Sequence, residues 1–210
     1  VDVTLVIDVS SSMLRQAGDG GTKLDAVLRA SRAFLDHFDP EATGGRVAIT
    51  VFNHRAWQVL PLSDQRAALD AALDRLPALI EEGTRLDLGL LAGADTAGDL
   101  EPGRLRVMVF LTDGLPNRVP TPESGGSLEE TVLAAAAEVR ARGIEIHTVG
   151  YGREDAPDIA DRISPELLRA IAGSDARYHE TDDAGVLADL FREIAAEIGC
   201  PEERRWPGSG

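Results

Sequence analysis

Cysteine is nearly missing from this chain. Cys200 stands alone, so no internal disulfide can brace the fold, stability has to come from a packed core, and the redox compartment stays open. Histidine is scarce as well, with 4 in 210 residues. His54, His147 and His179 are scattered between a turn and strand positions without partners at ligand spacing, and they read as structural. His37 closes a helical run, where an imidazole complements the helix dipole. No apolar stretch approaches the ~20 residues that cross a bilayer, and the chain opens on a strand-like run without a basic-then-apolar leader. Direct membrane insertion is therefore not expected. Basic residues are outnumbered: 21 Lys and Arg face 36 Asp and Glu, a formal charge of -15. Because the basic residues are interspersed rather than clustered, a nucleic-acid surface is excluded.

What is present is an apolar fraction of 43%, enough for a core that buries roughly 70% of the unfolded surface. One globular domain over residues 1–200 is expected, with 201–210 as a polar tail or linker. Short apolar runs from Val3 to Ile7, Val47 to Phe52, Trp57 to Leu62, Val107 to Leu111 and Ile144 to Val149, with a short one at Tyr178, read as strands. Helical spacing runs from Leu24 to Phe38, Leu69 to Leu76, Leu86 to Ala97, Leu128 to Val139, Pro165 to Ala172 and Ala184 to Gly199. Asn53-His54-Arg55 is short enough for a hairpin turn, which makes the third strand an antiparallel edge, and Asp64 stands where it can cap the next helix. Strands alternating with helices predict an α/β protein whose mainly parallel sheet is covered on both faces. Ligands of such sheets gather beyond the carboxyl ends of the strands, where the strand order reverses.

Two strands end in aspartate. Asp8-Val9-Ser10-Ser11-Ser12 closes the first, and Thr112-Asp113-Gly114 closes the fourth, while Gly83-Thr84 precedes a helical pattern. Pooled, they offer Asp8, Ser10, Ser12, Thr84 and Asp113: two carboxylates, three hydroxyls, and no Cys or His nearby. Hard oxygen donors suit magnesium, with manganese or calcium as substitutes, whereas zinc or copper calls for imidazole or thiolate. Two carboxylates balance a divalent charge, and neutral hydroxyls leave the ion attractive to a further anionic oxygen. Singly, each segment has an ordinary role, since Asp and Ser bond their own backbone in loops, Thr-Asp-Gly is a common turn, and Thr84 can cap a helix. Met13, Arg85, Leu115, Asn117 and Arg118 flank the set and are the candidates for touching a partner. Gly18 to Lys23 only superficially suggests a phosphate loop, because the G-x-x-x-x-G-K-[ST] spacing is not met.

On these residues the chain resembles the von Willebrand factor type A, or integrin I-like, domain over nearly its whole length. The resemblance rests on the D-x-S-x-S motif, the distant Thr and the distant Asp of a complete metal-ion-dependent adhesion site, matched by Asp8, Ser10, Ser12, Thr84 and Asp113. It implies a doubly wound, Rossmann-like six-stranded sheet, mainly parallel with one antiparallel edge strand and helices on both faces. It also implies Ser10, Ser12 and Thr84 as direct magnesium ligands, with Asp8 and Asp113 alternating between direct and water-bridged contact. A protein partner's Asp or Glu would complete the coordination. The family further implies a last helix, here Ala184 to Gly199, that shifts along the sheet as the site rearranges. The expected function is thus a non-enzymatic, cation-dependent binding module, a monomeric domain within a larger bacterial protein.

Cys200 lacks the mate that ties the ends of some extracellular relatives, so the cell surface or exterior is preferred over the cytoplasm only by the adhesion reading. A scaffold subunit working with a chelatase-type or related ATPase is the alternative. A magnesium-dependent aspartyl-phosphate phosphatase is the third reading. It suffers because the position two after Asp8 is Ser10 and not a second acid, and because no Lys stands near Asp113-Gly114 in the sequence.

Overall fold

A computed structural model describes residues 1–117 and 127–199, apart from the side chain of Ala160. Six strands are present: β1 (Asp2–Asp8), β2 (Arg46–Phe52), β3 (Ala56–Ser63), β4 (Arg106–Thr112), β5 (Ile144–Tyr151) and β6 (Tyr178–Thr181). They form one sheet in the order β3-β2-β1-β4-β5-β6, parallel throughout except for the β2–β3 hairpin. The hairpin puts β3 at an antiparallel edge, as expected. β1 lies between β2 and β4, so the chain reverses its direction of strand addition there, and the crevice beyond the carboxyl ends of β1 and β4 is the switch point.

Helices cover both faces: α1 (Lys23–Phe38), the single turn α2 (Pro40–Thr43), α3 (Arg66–Leu73), α4 (Leu86–Thr96), α5 (Leu128–Ala141), α6 (Pro165–Ala172) and α7 (Ala184–Gly199). β1 and β4 are buried along their whole length, which is why they read as continuous apolar runs. Alternation sorts their side chains. Leu5 and Ile7 join the core under α1, α3 and α7, while Val6 joins the core under α4, α5 and α6. Two helix starts carry reciprocal caps, Thr22 with Asp25 and Ser127 with Glu130. Asp64 does not cap α3: Gln65 is the N-cap, and the exposed N–H of Arg66 is met instead by Glu41 Oε1 at 3.0 Å, reaching over from α2. α4 lies close to the sheet because Gly93 has no side chain. A Cβ there would come within 2.5 Å of Val6 Cγ2.

At the opposite end of the sheet from the switch point, Asp2 is buried and clamped by two arginines. Arg46 donates from Nε and Nη2 at 2.8 and 2.6 Å, and Arg104 from Nη2 at 2.5 Å. Burial pushes the Asp2 carboxyl up, but these hydrogen bonds more than offset it and bring the carboxyl down to about 2. A carboxylate whose folded pKa lies below its unfolded value stabilises above the unfolded value, and the contribution disappears as pH falls through the folded one. Asp2→Asn is therefore expected to cost about 1–2 kcal/mol at pH 7, allowing for solvent screening of the arginines, with the difference from wild type closing near pH 2. Urea denaturation across that pH range measures it.

Candidate metal centre

Three connections converge beyond β1 and β4. After Asp8 the chain passes through Val9 and Ser10 into a single 3-10 turn, Ser11–Leu14. The segment before α4 is tied to it by Glu81 N–H donating to Val9 O at 3.2 Å, and Arg85 N–H donates to Asn53 O at 2.8 Å. Gly83 turns that segment with φ of 98°, in the left-handed region where a side chain would be strained, and so delivers Thr84 to the crevice. Asp113 and Gly114 follow β4 directly, and a Cβ on Gly114 would lie 4.0 Å from Thr84 Oγ1.

The side chains interlock. Ser12 Oγ donates to Asp113 Oδ1 at 2.7 Å and lies 2.8 Å from Ser10 Oγ. Asp8 accepts Ser10 N–H on Oδ1 at 2.8 Å and Thr112 Oγ1–H on Oδ2 at 2.7 Å. Asp8 and Asp113 are fully buried, and Ser10 and Thr84 nearly so. Burial first, and then the charge of Asp113, raise the Asp8 carboxyl to about 7 against the pull of its hydrogen bonds from Ser10 and Thr112. Burial likewise raises Asp113, opposed by Lys23 and Ser12. Buried Asp8, and Asp113 beside it with Lys23 on one oxygen, present together with three hydroxyls the donor chemistry of a hard divalent cation. Among the described residues no three His, Cys, Asp or Glu side chains gather into a metal cluster, so a cation here depends on the hydroxyls.

The remaining candidates are placed unevenly. Leu115 and Asn117 line a solvent-open cleft of about 460 Å³ together with Ser10, Ser12, Thr84 and Gly114. Asn117 also braces Thr84, accepting its N–H at 2.9 Å and donating to its hydroxyl at 3.4 Å. Met13 does not face a partner: a 3-10 turn spaces side chains about 120° apart, which sends Met13 into the core and leaves Leu14 exposed. Nor is the Arg85 guanidinium free, since Asp87 holds it through both oxygens at 2.8 and 2.7 Å. Arg118 lies outside the described residues, with the rest of 118–126 and the tail beyond Gly199. Thr84 is not a cap, because Arg85 occupies the N-cap position of α4.

Sequence reading missed three neighbours. Ile159 and Arg15 line the cleft, and Ile159 is among the most exposed large apolar side chains described. Lys23, set aside with the rejected phosphate loop, donates to Asp113 Oδ2 at 2.9 Å and to Asp161 Oδ1 at 2.7 Å. No Lys neighbours Asp113 in the sequence, yet one does in space. The signal was available: a lysine at the first position of α1 opposes the helix dipole and needs an anionic partner. This removes one objection to a phosphoryl-transfer site, while the other, Ser10 in place of a second acid two residues after Asp8, stands.

The von Willebrand factor type A domain family matches residues 2–193. The chain belongs to that family. This von Willebrand type A domain is 30% identical to human matrilin-4 over 207 residues, 97% of the chain and 30% of that protein. It is 31% identical to Protein NorD of Brucella abortus over 156 residues, 72% of the chain and 24% of that protein. It is 28% identical to an uncharacterised Synechocystis protein over 176 residues, 83% of the chain and 36% of that protein. The domain thus spans about a quarter to a third of the curated relatives it matches. Among solved structures, the pilus adhesin SpaC of Lactobacillus rhamnosus GG superimposes with a TM-score of 0.75 at 20% identity, covering 94% of this chain and 30% of that one. The equivalent domain of a type V pilus tip protein from Porphyromonas gingivalis gives 0.75 at 17%, covering 98% and 97%. These two confirm the six-stranded mixed sheet with its flanking helices. Domains of this family are typically adhesion and interaction modules that bind protein partners rather than enzymes. No helix among the described residues is long and apolar enough to cross a membrane.

Proposed function

We propose that this domain is a cation-dependent adhesion module. Asp8, Ser10, Ser12, Thr84 and Asp113 would hold magnesium, or manganese or calcium in its place, as a metal-ion-dependent adhesion site. When bound, the metal supplies a hard electrophilic centre with one coordination position for the Asp or Glu side chain of a protein partner. The observation that carries the reading is Ser12, whose hydroxyl lies 2.7 Å from Asp113 Oδ1 and 2.8 Å from Ser10 Oγ in a cleft open to solvent that also takes in Thr84. The chain's own residues then divide the work. Asn117 fixes Thr84, Thr112 and the Ser10 amide fix Asp8, and Leu115 and Ile159 border the opening with apolar surface.

The test is capture of partners from a lysate of the source organism in magnesium, in chelator, and with Thr84→Ala. Partner capture is expected in magnesium, should be lost in chelator, and should fall by more than about 100-fold with Thr84→Ala, beyond the range of outer-shell changes, at unchanged thermal stability. Capture that survives both the chelator and the substitution contradicts the reading. A scaffold subunit serving a chelatase-type or related ATPase would offer the same cleft to an acidic residue of that ATPase. The similarity to Protein NorD over 72% of the chain supports it as the second reading, and an ATPase domain in the parent protein would favour it.

A further inference from the structure

Beside the cleft runs a chain of alternating charge that the adhesion reading does not use. Lys23 is buried, and its ammonium bridges Asp113 Oδ2 at 2.9 Å and Asp161 Oδ1 at 2.7 Å. Asp161 is shared in turn with Arg15 Nη2 at 2.9 Å, and Arg15 reaches Asp158 at 2.6 Å. The placement of Asp161 is built into the fold. Gly152, just past β5, lets the next segment pack directly upon it, since a Cβ there would stand 2.6 Å from the backbone oxygen of Asp161. Arg153 and Arg162 pair alongside as an isolated bridge.

The consequence is electrostatic. Asp113 has Ser12 on one oxygen and Lys23 on the other, so its carboxylate is held from two sides and already faces one positive charge. A divalent ion drawn to Asp8 and Asp113 has to tolerate that ammonium in the same low-dielectric pocket, where like charges repel far more than in water. Asp161 shares the same ammonium at 2.7 Å and draws part of its charge away.

We propose that Lys23 is a positioning residue that sets the cation affinity of the cleft: it pins Asp113 and weakens divalent-ion binding, and Asp161 sets the size of that penalty by competing for the ammonium. The inference rests on the cation-binding reading above. It makes two neighbouring substitutions act in opposite directions. Lys23→Gln removes the competing charge and should tighten manganese binding, whereas Asp161→Asn leaves the ammonium to Asp113 alone and should weaken it. Outer-shell changes of this kind move metal affinity by about 10–100-fold. Asp161 acts chiefly through Lys23, which it touches at 2.7 Å, so the effect of Asp161→Asn should shrink in the Lys23→Gln background and the double variant depart from additivity.

The experiment is a manganese titration of the full 210-residue chain, with free Mn2+ followed by electron paramagnetic resonance and metal-free thermal unfolding recorded for every variant. Tighter binding in Lys23→Gln with weaker binding in Asp161→Asn supports the proposal. A merely structural brace would make both weaker, which overturns it and leaves the adhesion site standing, as does an unchanged Lys23→Gln. Should Lys23→Gln fail to fold, Asp161→Asn decides: weaker binding supports the proposal, and equal or tighter binding overturns it. Absence of manganese binding in the wild type and in every variant overturns both this inference and the adhesion reading.

Discussion

Asp8→Asn is expected to fold at least as stably as the wild type in the absence of metal and to lose manganese affinity by more than about 100-fold, beyond the range of outer-shell changes. Both halves follow from one fact, the burial of Asp8 beside Asp113. Its carboxyl is raised to about 7 in the folded protein, from a value of 3.8 in an unperturbed chain. A carboxyl whose folded pKa lies above its unfolded value binds more protons when folded, so its contribution to stability falls as pH rises from about 4 to about 7. Asparagine removes that penalty. Its amide oxygen still accepts the Ser10 N–H, and the Thr112 hydroxyl can turn to accept from its amide nitrogen. Metal-free thermal unfolding should therefore be less pH-dependent between pH 4 and 7 in the variant. Added manganese should raise the melting temperature of the wild type only. A variant that unfolds more easily than wild type at pH 7, or that still binds manganese tightly, contradicts this account of Asp8.

Phe191→Ala carries the largest expected loss of stability, about 3–5 kcal/mol. α1 and α7 form an extensive helix-helix contact, and Phe191 is buried in the core there, its ring and that of Phe34 edge-to-face with centroids 6.5 Å apart and planes at 83°. Leu187, Ile194, Ala195 and Ile198 bury the rest of the stripe, so truncation of the ring leaves a cavity that neighbours fixed by a full row of contacts cannot close. Urea denaturation at constant m-value reads the effect. A loss under about 1 kcal/mol would mean that α7 is loosely seated and can shift as the family resemblance implies.

The element pattern was legible from periodicity because nearly every strand and helix obeys its own period. Val3 to Ile7 and Val107 to Leu111 are uninterrupted because β1 and β4 are central and covered on both faces. The edge position of β3 could be inferred from a three-residue hairpin turn. Cap chemistry was less legible: Asp64 looked like a cap, but the capping group came from Glu41, which no local pattern could predict. Two strand ends and one helix start point to a common site, and of its residues Ser12 bonds Asp113 and lies against Ser10 while Thr84 lines the same cleft. Side-chain direction was not legible. Met13 is buried while adjacent Leu14 is exposed, and the Arg85 guanidinium is taken by Asp87 two residues on. Lys23 is marked locally only as a cation at a helix start, and its acids, Asp113 and Asp161, stand 90 and 138 residues away, where no local pattern names them.

Crystals soaked in manganese and measured for anomalous scattering test the central claim most directly. The account predicts one strong peak among the Ser10, Ser12 and Thr84 hydroxyls and the Asp8 and Asp113 carboxyls, with a coordination position open to the cleft. A cleft without a peak in manganese-saturated crystals, or a peak that Thr84 does not approach, would contradict it.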